Sequence, residues 1–113
     1  MKIVQLDALS DEPVSHNAAI AKRVLLRAGE AGPVMQFAQS RFGPGEVAPA
    51  HSHPDMHEVF FVQAGQGTAT VDGSAHDLVA GTCITFAPGE VHEIRNDGAG
   101  ELVLLYFGVM DHA

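Results

Sequence analysis

An all-β sandwich or barrel is the architecture to expect from this chain, on three grounds. Short runs rich in β-branched and aromatic residues recur along it, such as Val59-Phe60-Phe61-Val62. Turn material separates them every few residues, and 12 glycines in 113 residues exceed the average share of about 7%. Apart from one ambiguous stretch, no segment keeps a helical period.

Residues 1–19 are polar and read as irregular, with Asp11-Glu12-Pro13 and Ser15-His16-Asn17 as turn material. From Ala18 to Ala28 the pattern is double. Ile20, Val24 and Leu25 sit at helical spacing, while Arg23 to Arg27 is a short bounded apolar run that suits a strand. Val34 to Phe42 alternates loosely and ends at Gly43-Pro44-Gly45. One parity of this strand turns polar groups inward, and the residues concerned, Gln36, Gln39 and Arg41, leave open which. Glu58 to Ala64 ends at Gly65-Gln66-Gly67, and Thr68 to Val71 alternates strictly before Asp72-Gly73, a strong hairpin-turn pair. Thr82 to Phe86 is closed by Pro88-Gly89, and Val91 to Arg95 runs into Asn96-Asp97-Gly98. Leu102 to Val109 is apolar on both faces, as for a strand between two layers. With no linker or repeat, residues 1–113 make one domain.

Fourteen acids against six Lys and Arg give a net charge of −8. No basic stripe exists to neutralise phosphates, so the balance argues against nucleic-acid binding and against docking on anionic lipid. The single cysteine, Cys83, excludes an intramolecular disulfide and a zinc ribbon, and inside a short strand it is expected to be buried. The first residues lack a signal-peptide core, and no run approaches the roughly twenty apolar residues of a membrane-spanning helix. A reduced, cytoplasmic protein is expected.

Seven histidines outnumber the six Lys and Arg. Prolines at 44, 49 and 54 exclude a helix around His51-Ser52-His53. In extended chain, residues two apart share a face, so both imidazoles can converge on one ion. Glu58 opens an apolar strand; facing inward it needs a cation partner, because an isolated buried carboxylate is very costly. His92 begins another strand after a turn. Three imidazoles and a carboxylate suit a divalent transition metal. His57 points to the opposite strand face from Glu58, and His16, His76 and His112 are expected to be solvated. Met56 and Phe60 are candidates for the wall of a pocket, with packing the plainer role. Gly65-Gln66-Gly67 is no dinucleotide loop, since strand rather than helix follows it. His57-Glu58 and His92-Glu93 are no zinc-protease motif, since Phe61 and Asn96 stand where a second histidine is needed.

The spacing Gly45-(five)-His51-x-His53-(four)-Glu58-(six)-Gly65 resembles the first motif of the cupin superfamily at every interval. Gly81, Gly89, His92 and Asn96 fall in register with its second motif; Ala87 stands where that motif has proline, and Pro88 follows it. The resemblance covers about residues 34–109. It implies a double-stranded β-helix, or jelly-roll barrel, with His51, His53, Glu58 and His92 as metal ligands. It also implies that Arg23 to Arg27 is a strand, and that glycines 45, 65, 81 and 89 turn the backbone at positive φ.

Such a barrel holds one small ligand, and four protein donors leave two open positions on a six-coordinate ion. Mn or Fe is favoured as the ion, with Zn, Ni, Co and Cu also compatible with the donors. Three functions stay open: an oxygenase acting on a small organic molecule, a non-redox isomerase, decarboxylase or lyase, and a small-molecule binding module without catalysis. Tyr106, the only tyrosine, is a conceivable proton donor, although core packing is its plainer role. The apolar stretch Val103 to Val109, on an exposed strand, would pair two copies into a homodimer.

Overall fold

The computed structural model describes residues 1–111; His112 and its expected solvation lie outside the described residues. A single 3-10 turn over Leu6–Ala8 precedes ten strands among the described residues. They are β1 (Glu12–Val14), β2 (Asn17–Leu26), β3 (Val34–Phe42), β4 (Val47–His51), β5 (Met56–Ala64), β6 (Gln66–Val71), β7 (Ser74–Val79), β8 (Cys83–Phe86), β9 (His92–Arg95) and β10 (Leu102–Met110). Two antiparallel sheets result, ordered β1-β2-β3-β10-β5-β8 and β4-β9-β6-β7. Their inner faces share one core, in which Ile20, Phe42, Val62, Phe86, Leu102 and Leu104 are almost wholly removed from water. This is the jelly-roll barrel that the cupin resemblance implied.

The local chemistry explains most of the boundaries. Val71 and Ser74 pair across Asp72-Gly73, whose φ values of 47° and 85° form the type I′ turn that matches strand twist. Gly45, Gly65, Gly81 and Gly89 all take positive φ, as expected. At Gly65 the demand is double, because a Cβ there would also collide with the Glu101 carbonyl. The ambiguous stretch after Ala18 lies in β2, where Ile20 and Val24 face the core.

Asn96 braces the junction between the sheets. It is fully buried, donates to the carbonyls of Phe42 (2.9 Å) and Gly100 (2.8 Å), and accepts from the Gly98 amide (3.0 Å). These bonds satisfy backbone groups that the loop before β10 would otherwise leave without partners.

Three expectations are corrected. Residues 1–19 are not irregular throughout: β1 pairs with β2, and β2 starts at Asn17. Charges hold this edge in place, with Asp11 accepting from Arg23 (3.0 Å) and Arg41, and Glu12 from Arg27 (2.5 Å). Pro13 is tolerated because β1 is an edge strand. Cys83 is exposed, since it faces outward from the edge strand β8. β10 lies inside the larger sheet, bonded to β3 on one side and β5 on the other, so it is not an exposed edge strand.

Candidate metal centre

β4 and β9 set His51 opposite His92 in register, and His53 follows two residues after His51. From the other sheet, β5 turns Glu58 inward, opposite Phe86 of β8. The fully buried Phe86 ring lies flat against His92, with ring centroids 4.1 Å apart and planes within 7°. His92 is 2% exposed and Glu58 9%, while His51 and His53 are half-buried. The four side chains bring their donor atoms within 4.8 Å of one another.

The four face one another through defined atoms. Nε2 of His53 and of His92 each lie 3.0 Å from Glu58 Oε1, and Nε2 of His51 lies 4.0 Å from it. His51 Nδ1 is 2.8 Å from the Pro49 carbonyl, and His92 Nδ1 is 3.0 Å from that of Glu90. A carbonyl only accepts, so each Nδ1 carries the hydrogen and each Nε2 of a neutral ring offers its lone pair to the centre. His53 Nε2, despite its closeness to Glu58, is not aligned as a hydrogen bond and is buried without a partner. A buried polar atom left unsatisfied is costly, and a cation at the shared point would satisfy it together with the carboxylate. The donor set therefore fits a divalent metal ion.

Burial and hydrogen bonding set the charge of each group. Burial works against the charged form of Glu58, but the His92 hydrogen bond and the neighbouring histidines outweigh it and hold its pKa below the usual carboxylate value. Burial likewise opposes a charge on His92, but its bonds to Glu58 and to the Glu90 carbonyl outweigh burial and raise its pKa. Burial dominates at His51 and lowers its pKa, keeping that ring neutral.

A cavity of about 140 Å³ opens onto this cluster. Phe60 and Tyr106 form one wall as stacked rings, with centroids 5.0 Å apart. The parity left open on β3 is resolved: Gln36 and Ser40 line the cavity, while Gln39 bonds Gln63 and Arg41 bonds Asp11 outside it. Met56 and His57 are not among its lining residues, and His76 is exposed as expected.

Two contributors were not identified from sequence alone, and a third was named without its place. His16, expected to be solvated, is exposed yet stacks on His51 with ring centroids 4.0 Å apart; only the β1–β2 turn brings it there. Lys22 lies on a strand whose period was ambiguous. Tyr106 was visible as a lone tyrosine on an apolar strand, but nothing local fixed the face to which it turns.

Residues 38–108 match the model of the cupin domain. A predicted oxalate decarboxylase from Thermotoga maritima superposes with a TM-score of 0.89 at 22% identity, over 96% of this chain and 99% of that one. A sugar phosphate isomerase of the cupin superfamily from Silicibacter pomeroyi gives 0.79 at 22% identity, over 96% of this chain and 75% of the other. An uncharacterized conserved protein with a double-stranded β-helix domain from Klebsiella pneumoniae gives 0.77 at 21% identity, over 100% and 93%. At these identities the structural likeness speaks for the fold, and the family match spans most of the chain: this protein belongs to the cupin domain family.

Proposed function

We propose that this cupin is a metal-dependent enzyme acting on a small organic molecule, with His51, His53, Glu58 and His92 as the ligands of one divalent transition metal. The observation that carries the reading is the meeting of three Nε2 atoms around a single carboxylate oxygen, one of them buried without any other partner. A bound ion supplies Lewis-acid polarisation and, with Mn or Fe, oxygen chemistry.

The chain's own residues do the rest. The carbonyls of Pro49 and Glu90 fix the ring orientation of His51 and His92. Phe60 forms an apolar wall of the cavity, with Phe86 packed edge-on against it at 5.6 Å between ring centroids. Tyr106 keeps its phenolic proton at neutral pH, because burial raises its pKa further than the neighbouring Gln36 amide lowers it. Its hydroxyl is the candidate proton donor to substrate.

An oxygenase-type reaction is the first reading. A non-redox isomerase, decarboxylase or lyase reaction is the second, favoured by solved relatives named as a predicted decarboxylase and as an isomerase. Oxygen uptake with a candidate substrate under Fe(II) or Mn(II) supports the first, and turnover in anaerobic buffer with Zn(II) supports the second. Ligand affinity without turnover under any metal would leave a binding module. A cytoplasmic setting suits the lone exposed thiol of Cys83.

The metal assignment is tested by elemental analysis of untagged protein and by calorimetric titration with Mn(II). His92→Ala and His51→Ala should each abolish stoichiometric binding while leaving a folded, β-rich protein. Glu58→Gln should weaken binding, because a neutral amide oxygen replaces a charged one. Undiminished Mn(II) affinity after removal of His51, His53 and His92 together would falsify it.

The chain is further proposed to form a homodimer through the outer face of the larger sheet, where Phe37, Val59, Phe61, Leu105 and Phe107 lie side by side.

A further inference from the structure

Away from the four-residue cluster, the same cavity has a second polar pole. β2 and β3 set Lys22 opposite Ser40, and Gln36 turns to the same inner face of β3. Lys22 Nζ donates to Gln36 Oε1 at 3.2 Å, which holds the ammonium at the cavity wall. Lys22 is the one Lys or Arg among the lining residues. Its register partner across β1 and β2 is Glu12, but both Glu12 oxygens are taken by Arg27, at 2.5 and 3.3 Å. Glu12 acts on Lys22 through its charge, but its oxygens are held by Arg27, and among the described residues no carboxylate forms an ion pair with Lys22.

The charge count then favours anions. A divalent ion with three neutral imidazoles and one carboxylate keeps one net positive charge, and Lys22 adds another in a cavity whose walls are largely aromatic and aliphatic. In a chain of net charge −8 this is a local reversal of sign. Size narrows the class. A cavity of about 140 Å³ is comparable to one that holds benzene, so the occupant has roughly six heavy atoms. Gln36 and Glu58 lie in one register row through Gly108, two strand spacings or about 10 Å apart between backbones. With both side chains reaching inward, a molecule of that size spans the gap.

We infer that Lys22 is a specificity-determining residue that receives the carboxylate of a short organic acid, whose oxygen donors at the other end meet the metal pole. The inference rests on the metal-dependent reading above and narrows its substrate class to small anionic acids. Gln36 positions the ammonium, and Ser40 and Tyr106 offer hydroxyls beside it.

The test uses Mn(II)-loaded protein and two probes of nearly equal size: malonate, with a carboxylate at each end, and malonamate, in which one carboxylate is an amide. Calorimetry should show Lys22→Met weakening malonate at least tenfold and malonamate less than threefold, with Mn(II) affinity unchanged within twofold. Lys22→Arg should restore most of the malonate affinity. Circular dichroism checks that both variants keep the β fold. Equal malonate affinity in wild type and Lys22→Met, or equal losses for both probes, overturns the inference while the metal reading stands. Failure of the wild type to bind Mn(II) sinks both together.

Discussion

Tyr106 combines a partly buried ring with direct access to the cavity. Its ring stacks on Phe60 within 12° of parallel, so it cannot swing away from the pocket without giving up that contact. Burial disfavours the phenolate and is opposed only in part by the Gln36 amide, so its pKa lies above the ordinary 10.0. The chain has no tryptophan and no other tyrosine, so ultraviolet difference titration reads this one group. Phenolate absorbance should rise at higher pH in the folded protein than in urea. Because the folded state holds this proton more tightly than the unfolded one, its stabilising effect is complete below the unfolded pKa. It is lost as pH climbs through the folded value. Identical titration curves in buffer and in urea would show the hydroxyl to be freely hydrated, and Tyr106 would be removed from the site. The four clustered residues, His51, His53, Glu58 and His92, were legible in the sequence because they fall on positions of the cupin motifs that it resembles. Tyr106, Lys22 and Gln36 were not, because which face a strand turns inward depends on register with neighbours far away in the chain.

Among the elements, turns were easier to read than edges. Asp72-Gly73 announces its own geometry, since the pair tolerates positive φ at both positions. β1 gives no such signal: three residues containing a proline become a strand only because β2 lies beside them and Arg23, Arg27 and Arg41 hold their flanking acids. Asn96 falls between these cases. Its position in the second motif was legible, but its task as a brace of the loop between β9 and β10 needed the structure. The Asn96→Ala variant removes two donors and one acceptor carried by a fully buried side chain. It leaves the carbonyls of Phe42 and Gly100 and the amide of Gly98 short of partners, and should cost about 2–4 kcal/mol in urea unfolding. His92 lies four residues before Asn96, anchored separately by Phe86 and the Glu90 carbonyl, so Mn(II) stoichiometry should survive in whatever fraction folds. A loss below 0.5 kcal/mol would mean that the loop finds other partners and that the brace is dispensable.

At the scale of the molecule, the larger sheet is covered on its inner face by the smaller one and bare on its outer face. Alternation along β3, β5 and β10 turns Phe37, Val59, Phe61, Leu105 and Phe107 outward as neighbours across three hydrogen-bonded strands. Phe61 is 44% exposed, and Phe37 meets Phe107 edge to face with ring centroids 6.2 Å apart. A second copy of the chain is the occupant that this face suits. A two-fold axis sets the same patch against itself, aromatic on aromatic, whereas the charges nearby, on Arg23 and Arg41, are already engaged by Asp11. Pairing through faces keeps the expected contact through residues 103–109, because Leu105 and Phe107 of β10 lie in the patch although β10 is an interior strand of its sheet. Sedimentation at micromolar concentration should give twice the mass of one chain. Phe61→Asp, which puts a carboxylate at the most exposed position of the patch, should give single chains that still bind Mn(II), since Phe61 turns away from the cavity. A wild type that sediments only as single chains would refute the pairing, and a Phe61→Asp protein that stays paired would move it to another surface.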